Sequence, residues 1–100
     1  MAEKTIIWSE RADDELKGIL EFYNTRNGNT KYSFKLLAKI EEISEILSKN
    51  EYIGRLADDK KTRVIVMDAY LIFYEIDEFQ INILSFWDNR QNPENRIDKI

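Results

Sequence analysis

The chain has 100 residues, of which 43% are hydrophobic and 12% aromatic, which is enough apolar surface to build one domain over residues 1–100. The absence of cysteine and histidine excludes disulfides and thiolate metal sites, and it removes the usual zinc ligand and general base. The net charge of −4 argues against broad binding to a phosphate backbone, which requires a basic surface.

A short strand and a helix are predicted first. Lys4–Trp8 is rich in β-branched residues, and Ser9 is well placed to cap the helix that follows. Gly18 lies inside this helix, at a cost of about 1 kcal/mol relative to alanine. Asn27-Gly28 is a typical helix end. Apolar residues recur at helical spacing and form one stripe: Ala12, Leu16, Ile19, Leu20 and Tyr23.

A second helix is predicted from Lys31 to Ser48. A short turn containing Gly28 joins the two helices, so we expect an antiparallel pair. Because each helix has one apolar stripe, both stripes can pack on the same face of a sheet. The residues expected to face inward from the second helix are Leu36, Leu37, Ile40, Ile43 and Leu47.

Three strands are predicted in the second half, after a connector over residues 51–62 that has room for a short edge strand. The middle run, Tyr70–Ile76, is almost entirely apolar and is expected at the centre of the sheet. The fold class is therefore α+β, with two antiparallel helices on a small antiparallel sheet in the order β-α-α-β-β-β. Simple alternation along the last run places Ile81, Ile83, Ser85 and Trp87 on one face, and Asn82, Leu84 and Phe86 on the other.

This ordered set of residues resembles the RelE/ParE superfamily of bacterial toxins, also called plasmid stabilisation proteins. The resemblance covers nearly the whole chain. It implies a growth-inhibiting toxin of a type II toxin–antitoxin system, held by a cognate antitoxin. RelE-like members cut mRNA on the ribosome and ParE-like members bind DNA gyrase, so the fold alone does not choose the target. The matching residues are Ile6-Ile7-Trp8, the Ala12…Leu16…Ile19 helix, Gly54, Arg63, Tyr70–Ile76 and Ile83–Arg90.

The resemblance also implies the candidate catalytic residues. Metal-free RNA cleavage needs a base, an acid and cations that stabilise the phosphorane. Arg63 matches the arginine that opens the meander, and Arg90 matches the arginine just past the last strand. Lys61 and Lys60, in the connector, are their plausible companions. No metal or cofactor is expected.

Two departures from the nucleolytic members favour the gyrase-binding kind. Leu71 stands where many of those members have an arginine, and Asp88 stands where many have a histidine. Two alternatives stay open, namely a metal-independent, ribosome-dependent mRNA endoribonuclease and a decayed, non-toxic module that only binds the antitoxin. Whether the chain is an enzyme is therefore open.

Each candidate residue also has a purely structural interpretation. Arg63 can be an ordinary surface arginine, and Arg90 can pair locally with Asp88. Tyr70 and Tyr74 are expected to pack in the core, and Trp87 is expected to pack against a helix. No run is long and apolar enough to span a membrane, and the first residues do not resemble a secretory signal. A cytoplasmic protein with no membrane partner is therefore expected.

Overall fold

Two helices lie across one face of a five-stranded sheet in the structure, which is a computed structural model that describes residues 3–99. The element order confirms the predicted β-α-α-β-β-β succession and adds a short edge strand in the connector. Two single-turn 3₁₀ helices follow the sheet, at Pro93–Asn95 and Ile97–Lys99. The main elements are β1 (Thr5–Trp8), α1 (Glu10–Asn27), α2 (Lys31–Lys49), β2 (Arg55–Leu56), β3 (Arg63–Met67), β4 (Tyr70–Ile76) and β5 (Gln80–Asp88).

The strands lie in the order β1-β5-β4-β3-β2, so β4 occupies the centre as predicted. The pairs β2–β3, β3–β4 and β4–β5 are antiparallel. The remaining pair, β1–β5, is parallel, with Thr5 opposite Gln80 and Trp8 opposite Ile83. The predicted antiparallel sheet is therefore confirmed for the meander, and β1 is the exception. The helix pair returns the chain to the end of the sheet where β1 finished, and the three reversals from β2 to β5 then give β5 the same direction as β1.

The helix boundaries follow from their caps. The Ser9 hydroxyl accepts a hydrogen bond from the Ala12 backbone N–H at 3.0 Å, which confirms the predicted N-cap. Gly28 ends α1 in the left-handed region, with φ of 67°, a conformation that favours glycine. Leu37 is 38% exposed, so its predicted inward position is wrong. Leu36 and Ile40 define the buried stripe of α2, and Leu37 lies about 100° round the helix from Leu36.

The sheet has apolar residues on both faces. The larger core lies between the sheet and the helices, and it contains Tyr70, Ile72 and Tyr74, each at most 2% exposed; this confirms their predicted packing. A smaller cluster lies on the opposite face of the sheet, where Ile97 of the last 3₁₀ turn packs against it. That cluster is formed by Val64, Phe73 and Trp87, with Leu71 and Leu84 at its border.

An irregularity in β5 determines which face each of its residues occupies. Tyr74 lies opposite Ile83, whereas Phe73 lies opposite Ser85, so Leu84 is an extra residue in the β4–β5 pair. This bulge resets the two-residue alternation. Phe86 consequently joins the helix-side core and Trp87 the opposite cluster. The face assignments from simple alternation are therefore wrong for Phe86 and Trp87. Trp87 packs in the cluster to which Ile97 of the last 3₁₀ helix belongs.

Candidate functional site

Arg90 projects from the turn that follows β5 and is held by Asp88. Its Nε donates to Asp88 Oδ1 and its Nη2 donates to Asp88 Oδ2, both at 2.8 Å. The Arg90 backbone N–H donates to the same Oδ1 at 2.9 Å. The local pair expected from the sequence therefore forms, and it has the two-pronged geometry that orients a guanidinium most firmly. The Asp88 side chain is 11% exposed and the Arg90 side chain 55%, so the pair presents a fixed cation to solvent.

Two opposing effects determine the pKa of the Asp88 carboxyl group. Burial of the Asp88 carboxylate raises its pKa, but hydrogen bonds from the Arg90 side chain and backbone lower it by more, and the net pKa lies below the ordinary aspartate value. The hydrogen bond to Asp88 in turn raises the pKa of Arg90. Both groups are therefore charged at neutral pH.

Two tyrosines, Tyr23 and Tyr70, flank the Arg90 guanidinium on the helix side, and a third, Tyr32, contacts both of them. Its central carbon lies 5.8 Å from the Tyr23 ring centre and 5.7 Å from the Tyr70 ring centre, within the range of a cation–π contact. The Tyr70 and Tyr32 hydroxyls share a hydrogen bond, and the Tyr23 and Tyr32 rings are 4.4 Å apart. Burial raises the pKa of Tyr70, so its phenol is neutral at physiological pH and is unsuited to act as a base.

Arg63 lies at the start of β3 and contacts the connector. Its Nη1 donates to the Gly54 carbonyl at 2.8 Å, and its guanidinium lies 5.0 Å from the Tyr52 ring centre. Lys61 is an exposed neighbour whose Nζ lies 3.8 Å from Glu75 Oε1. Lys60 is also exposed and has a positive φ of 61°. Arg63 thus stabilises the connector, whereas the lysines lie at the surface.

Gly54 is the point at which the connector meets the core. The Tyr74 hydroxyl accepts a hydrogen bond from the Gly54 N–H and donates one to the Glu51 carbonyl, both at 2.8 Å. A Cβ on Gly54 would lie 2.7 Å from the Tyr74 hydroxyl oxygen, closer than van der Waals contact allows. A residue without a side chain is therefore required at this position, and the connector is fixed by a buried phenol.

The structure does not bring all the candidate cations together. Arg63 is paired with Tyr74, whereas Asp88, the partner of Arg90, is paired with Tyr70. These positions are four residues apart on β4, which corresponds to roughly 13 Å. Arg63 and Lys61 therefore lie towards one end of the meander and Arg90 towards the other. Within residues 3–99 no group of three acidic, histidine or cysteine side chains is arranged to hold a metal ion.

Arg90, Asp88, Tyr23, Tyr32 and Tyr70 form a cluster, called the Arg90 cluster below. A groove lies beside this cluster, between α1 and the end of β5. Its cavity volume is about 500 Å³. Asp14, Gly18 and Phe22 line it from α1, and Asp88 and Tyr23 line it where it meets the arginine. The groove and the Arg90 cluster therefore form one continuous surface.

A comparison of the sequence with known protein families gave a match over most of the chain. Residues 6–93 match the family described as the ParE toxin of type II toxin-antitoxin system, parDE. The chain belongs to this family. The resemblance to the RelE/ParE superfamily is thereby confirmed, and membership of the ParE toxin family implies a cognate antitoxin as partner.

A solved structure supports the fold of this ParE-family chain. The chromosomal ParDE TA system from P. aeruginosa contains a chain that is 19% identical, with a TM-score of 0.70; the match covers 84% of this chain and 94% of that one. At this identity the likeness concerns the fold alone. A search of curated proteins gave no match. Within residues 3–99 of this ParE-family chain, neither long helix has the apolar length needed to cross a bilayer.

Two members of the Arg90 cluster were not identified from the sequence. Tyr23 was assigned only to the apolar stripe of α1, and Tyr32 was not singled out. The sequence did place Tyr23 and Tyr32 close to each other, on either side of the turn between the helices, and it placed Tyr70 at the start of the central strand. Counting back from the β4–β5 turn in an antiparallel pair brings the end of β5 close to Tyr70, and hence Arg90 close to it as well.

Proposed function

We propose that this ParE-family chain is a toxin that arrests bacterial growth by binding DNA gyrase, and that a neighbouring gene encodes the antitoxin that neutralises it. The observation that carries the proposal is the match to the ParE family over residues 6–93, which includes both helices and the whole meander.

The arrangement of charges supports binding over RNA cleavage. A nuclease without a metal needs a base, an acid and cations that converge on one phosphate. Arg63 and Arg90 lie towards opposite ends of the meander, and each guanidinium is bound by its own neighbour, the Gly54 carbonyl and the Asp88 carboxylate respectively. Leu71, at the place of a nucleolytic arginine, borders the apolar cluster opposite the helices.

Arg90 is the residue proposed to contact the target. Its guanidinium is oriented by the Asp88 carboxylate and flanked by Tyr23 and Tyr70, so little side-chain freedom is lost on binding. Arginine and tyrosine are the residue types that most often dominate the energy of protein interfaces. Arg63 is proposed to act indirectly, by holding the connector through Gly54, and Lys61 is a secondary cation on that side.

Two assays run in parallel test the proposal. Purified protein is added to a gyrase supercoiling reaction, and primer extension maps mRNA cleavage in a translation reaction that contains ribosomes. We expect dose-dependent loss of supercoiling, reversed by the antitoxin, and no codon-positioned cuts. Codon-positioned cuts with normal supercoiling would instead support the endoribonuclease alternative. Antitoxin binding without either effect would support the decayed module.

A further inference from the structure

The groove beside Arg90 is open because Gly18 lacks a side chain. Gly18 lies mid-way along α1 and is exposed. A Cβ built on it meets no heavy atom within 4 Å, so no neighbour in this chain requires glycine there. Its φ is not in the left-handed region, where among the glycines only Gly28 lies. Glycine destabilises a helix interior relative to alanine, so the fold alone gives no reason for this residue.

The walls of the groove are aromatic. Asp14, Gly18 and Phe22 are spaced four residues apart and therefore form one stripe on α1. Phe22 is 57% exposed, and its ring meets the Tyr23 ring edge-on with the ring centres 5.0 Å apart. Phe86 also borders the groove, but its ring is fully buried, so Phe22 supplies the exposed aromatic surface. Exposed aromatic surface next to a glycine gap is suited to receive an apolar side chain from another molecule.

The charged residues that line the groove are all acidic. Its lining includes Asp14, Glu15 and Asp88 and no lysine or arginine. Asp88 is paired with Arg90. Glu15 accepts a hydrogen bond from the Ser85 hydroxyl at 2.7 Å and forms an ion pair with Arg11 at 3.6 Å. Asp14 forms no ion pair with any side chain in the range 3–98, and its neighbours Arg11 and Lys17 pair with Glu15 and Asp13. Phe22 lies two helical turns beyond Asp14, about 12 Å along α1, so the carboxylate can pair with a cation while the ring packs against a neighbouring apolar side chain.

We propose that this groove binds a basic amphipathic segment of the antitoxin. A lysine or arginine of the segment pairs with Asp14, and an apolar side chain packs over Gly18 against Phe22. The net charge of −4 on the toxin complements such a segment and speeds its association. This inference rests on the proposed function, because it names the chemistry of the antitoxin assigned there.

Binding in the groove also explains how neutralisation would work. Tyr23 and Asp88 line the groove and contact Arg90 as well. A segment seated between α1 and β5 therefore covers the guanidinium from the side. The antitoxin and the target then compete for one surface, and growth arrest is relieved without any change in the toxin's fold.

Calorimetry with the protein encoded by the adjoining gene tests this inference. Gly18→Leu fills the gap, Asp14→Lys reverses the free charge, and Glu41→Lys makes the same charge change at an exposed site on α2. We expect Kd to rise at least tenfold for the first two variants and less than twofold for the third. Raising the salt concentration should weaken wild-type binding. Melting curves provide the control for folding, and Gly18→Leu should melt no lower than wild type, because leucine is the better helix former.

Several outcomes would overturn the inference. Wild-type affinity in both groove variants would show that the antitoxin binds elsewhere, as would an equal loss in Glu41→Lys. An antitoxin whose toxin-protected segment carries net negative charge would contradict the proposed chemistry. Each result leaves the gyrase assay untouched, so the inference can fail while the proposed function stands. Failure of the wild-type protein to bind any product of an adjoining gene would overturn both.

Discussion

The substitution Tyr74→Phe tests how much the Tyr74 hydroxyl, which bonds the connector, contributes to the free energy of unfolding. Tyr74 is fully buried, and its hydroxyl satisfies the Gly54 N–H and the Glu51 carbonyl at once. Tyr74→Phe leaves the buried Gly54 N–H without its partner, at a cost of about 1–3 kcal/mol. Glu51 is half-buried, so water can replace much of the second bond. We expect a loss of about 2 kcal/mol in the free energy of unfolding, or roughly 8–16 °C in Tm for a domain of this size.

Urea and thermal unfolding followed by circular dichroism provide the assay, and Tyr52→Phe is the matched control. Tyr52 is 63% exposed, so loss of its hydroxyl should change stability by less than about 0.5 kcal/mol. Arg63 Nη1 donates to the Gly54 carbonyl, so Arg63→Ala and Tyr74→Phe should not be additive. Tyr74→Phe unfolding like wild type would refute the reasoning. Additive effects in the double variant would show that Arg63 and Tyr74 act on the connector separately.

Two further predictions concern Asp88 and the acidic side chains. Arg90→Ala and Asp88→Asn both break the same ion pair, and because the Arg90 side chain is largely exposed each should cost about 1 kcal/mol. Arg90→Ala should abolish growth inhibition, whereas Asp88→Asn, which keeps the guanidinium but loosens its orientation, should only weaken it. Full toxicity of Arg90→Ala in an induced culture would remove Arg90 from the target surface. The pKa values of Asp59, Asp77 and Asp88 are lowered in the folded state, so their contribution to stability is fully present above their unfolded pKa, near 4. Stability should therefore fall as the pH drops through the folded-state values, and Asp88→Asn should make that fall shallower in acid titrations of Tm.

The arrangement of the elements could be predicted because it depends on local patterns. The caps at Ser9 and Gly28 mark the bounds of α1, and the continuous apolar run of β4 indicates a central strand with both faces covered. The inward position of Leu37 was predicted wrongly because the apolar residues of α2 extend beyond the buried stripe. Periodicity identifies an apolar residue, but it does not show how far round the helix the sheet reaches.

The geometry of the site was less predictable, because it depends on pairings between distant residues. The extra residue at Leu84 decides that Phe86 faces the helices, and nothing in the run Gln80–Asp88 marks the bulge. Arg90 and Asp88 could be paired from the sequence because they are two residues apart. Tyr32 and Tyr70, whose hydroxyls share a hydrogen bond, are separated in the sequence by most of the second helix, the connector and β3. Their contact could therefore be identified only in the folded structure.

The parallel pairing of β1 with β5 has a consequence for how this protein is synthesised. β1 leaves the ribosome before the other four strands of this sheet, but its hydrogen-bonding partner exists only once Gln80 to Ile83 have been translated. The same late segment supplies one of the two neighbours of β4. A nascent chain that ends before this segment therefore has no strand with which β1 can pair, and the core beneath its helices is incomplete. Arg90 is translated only two residues after β5 ends. The complete sheet and the exposed arginine therefore become available at almost the same point in translation.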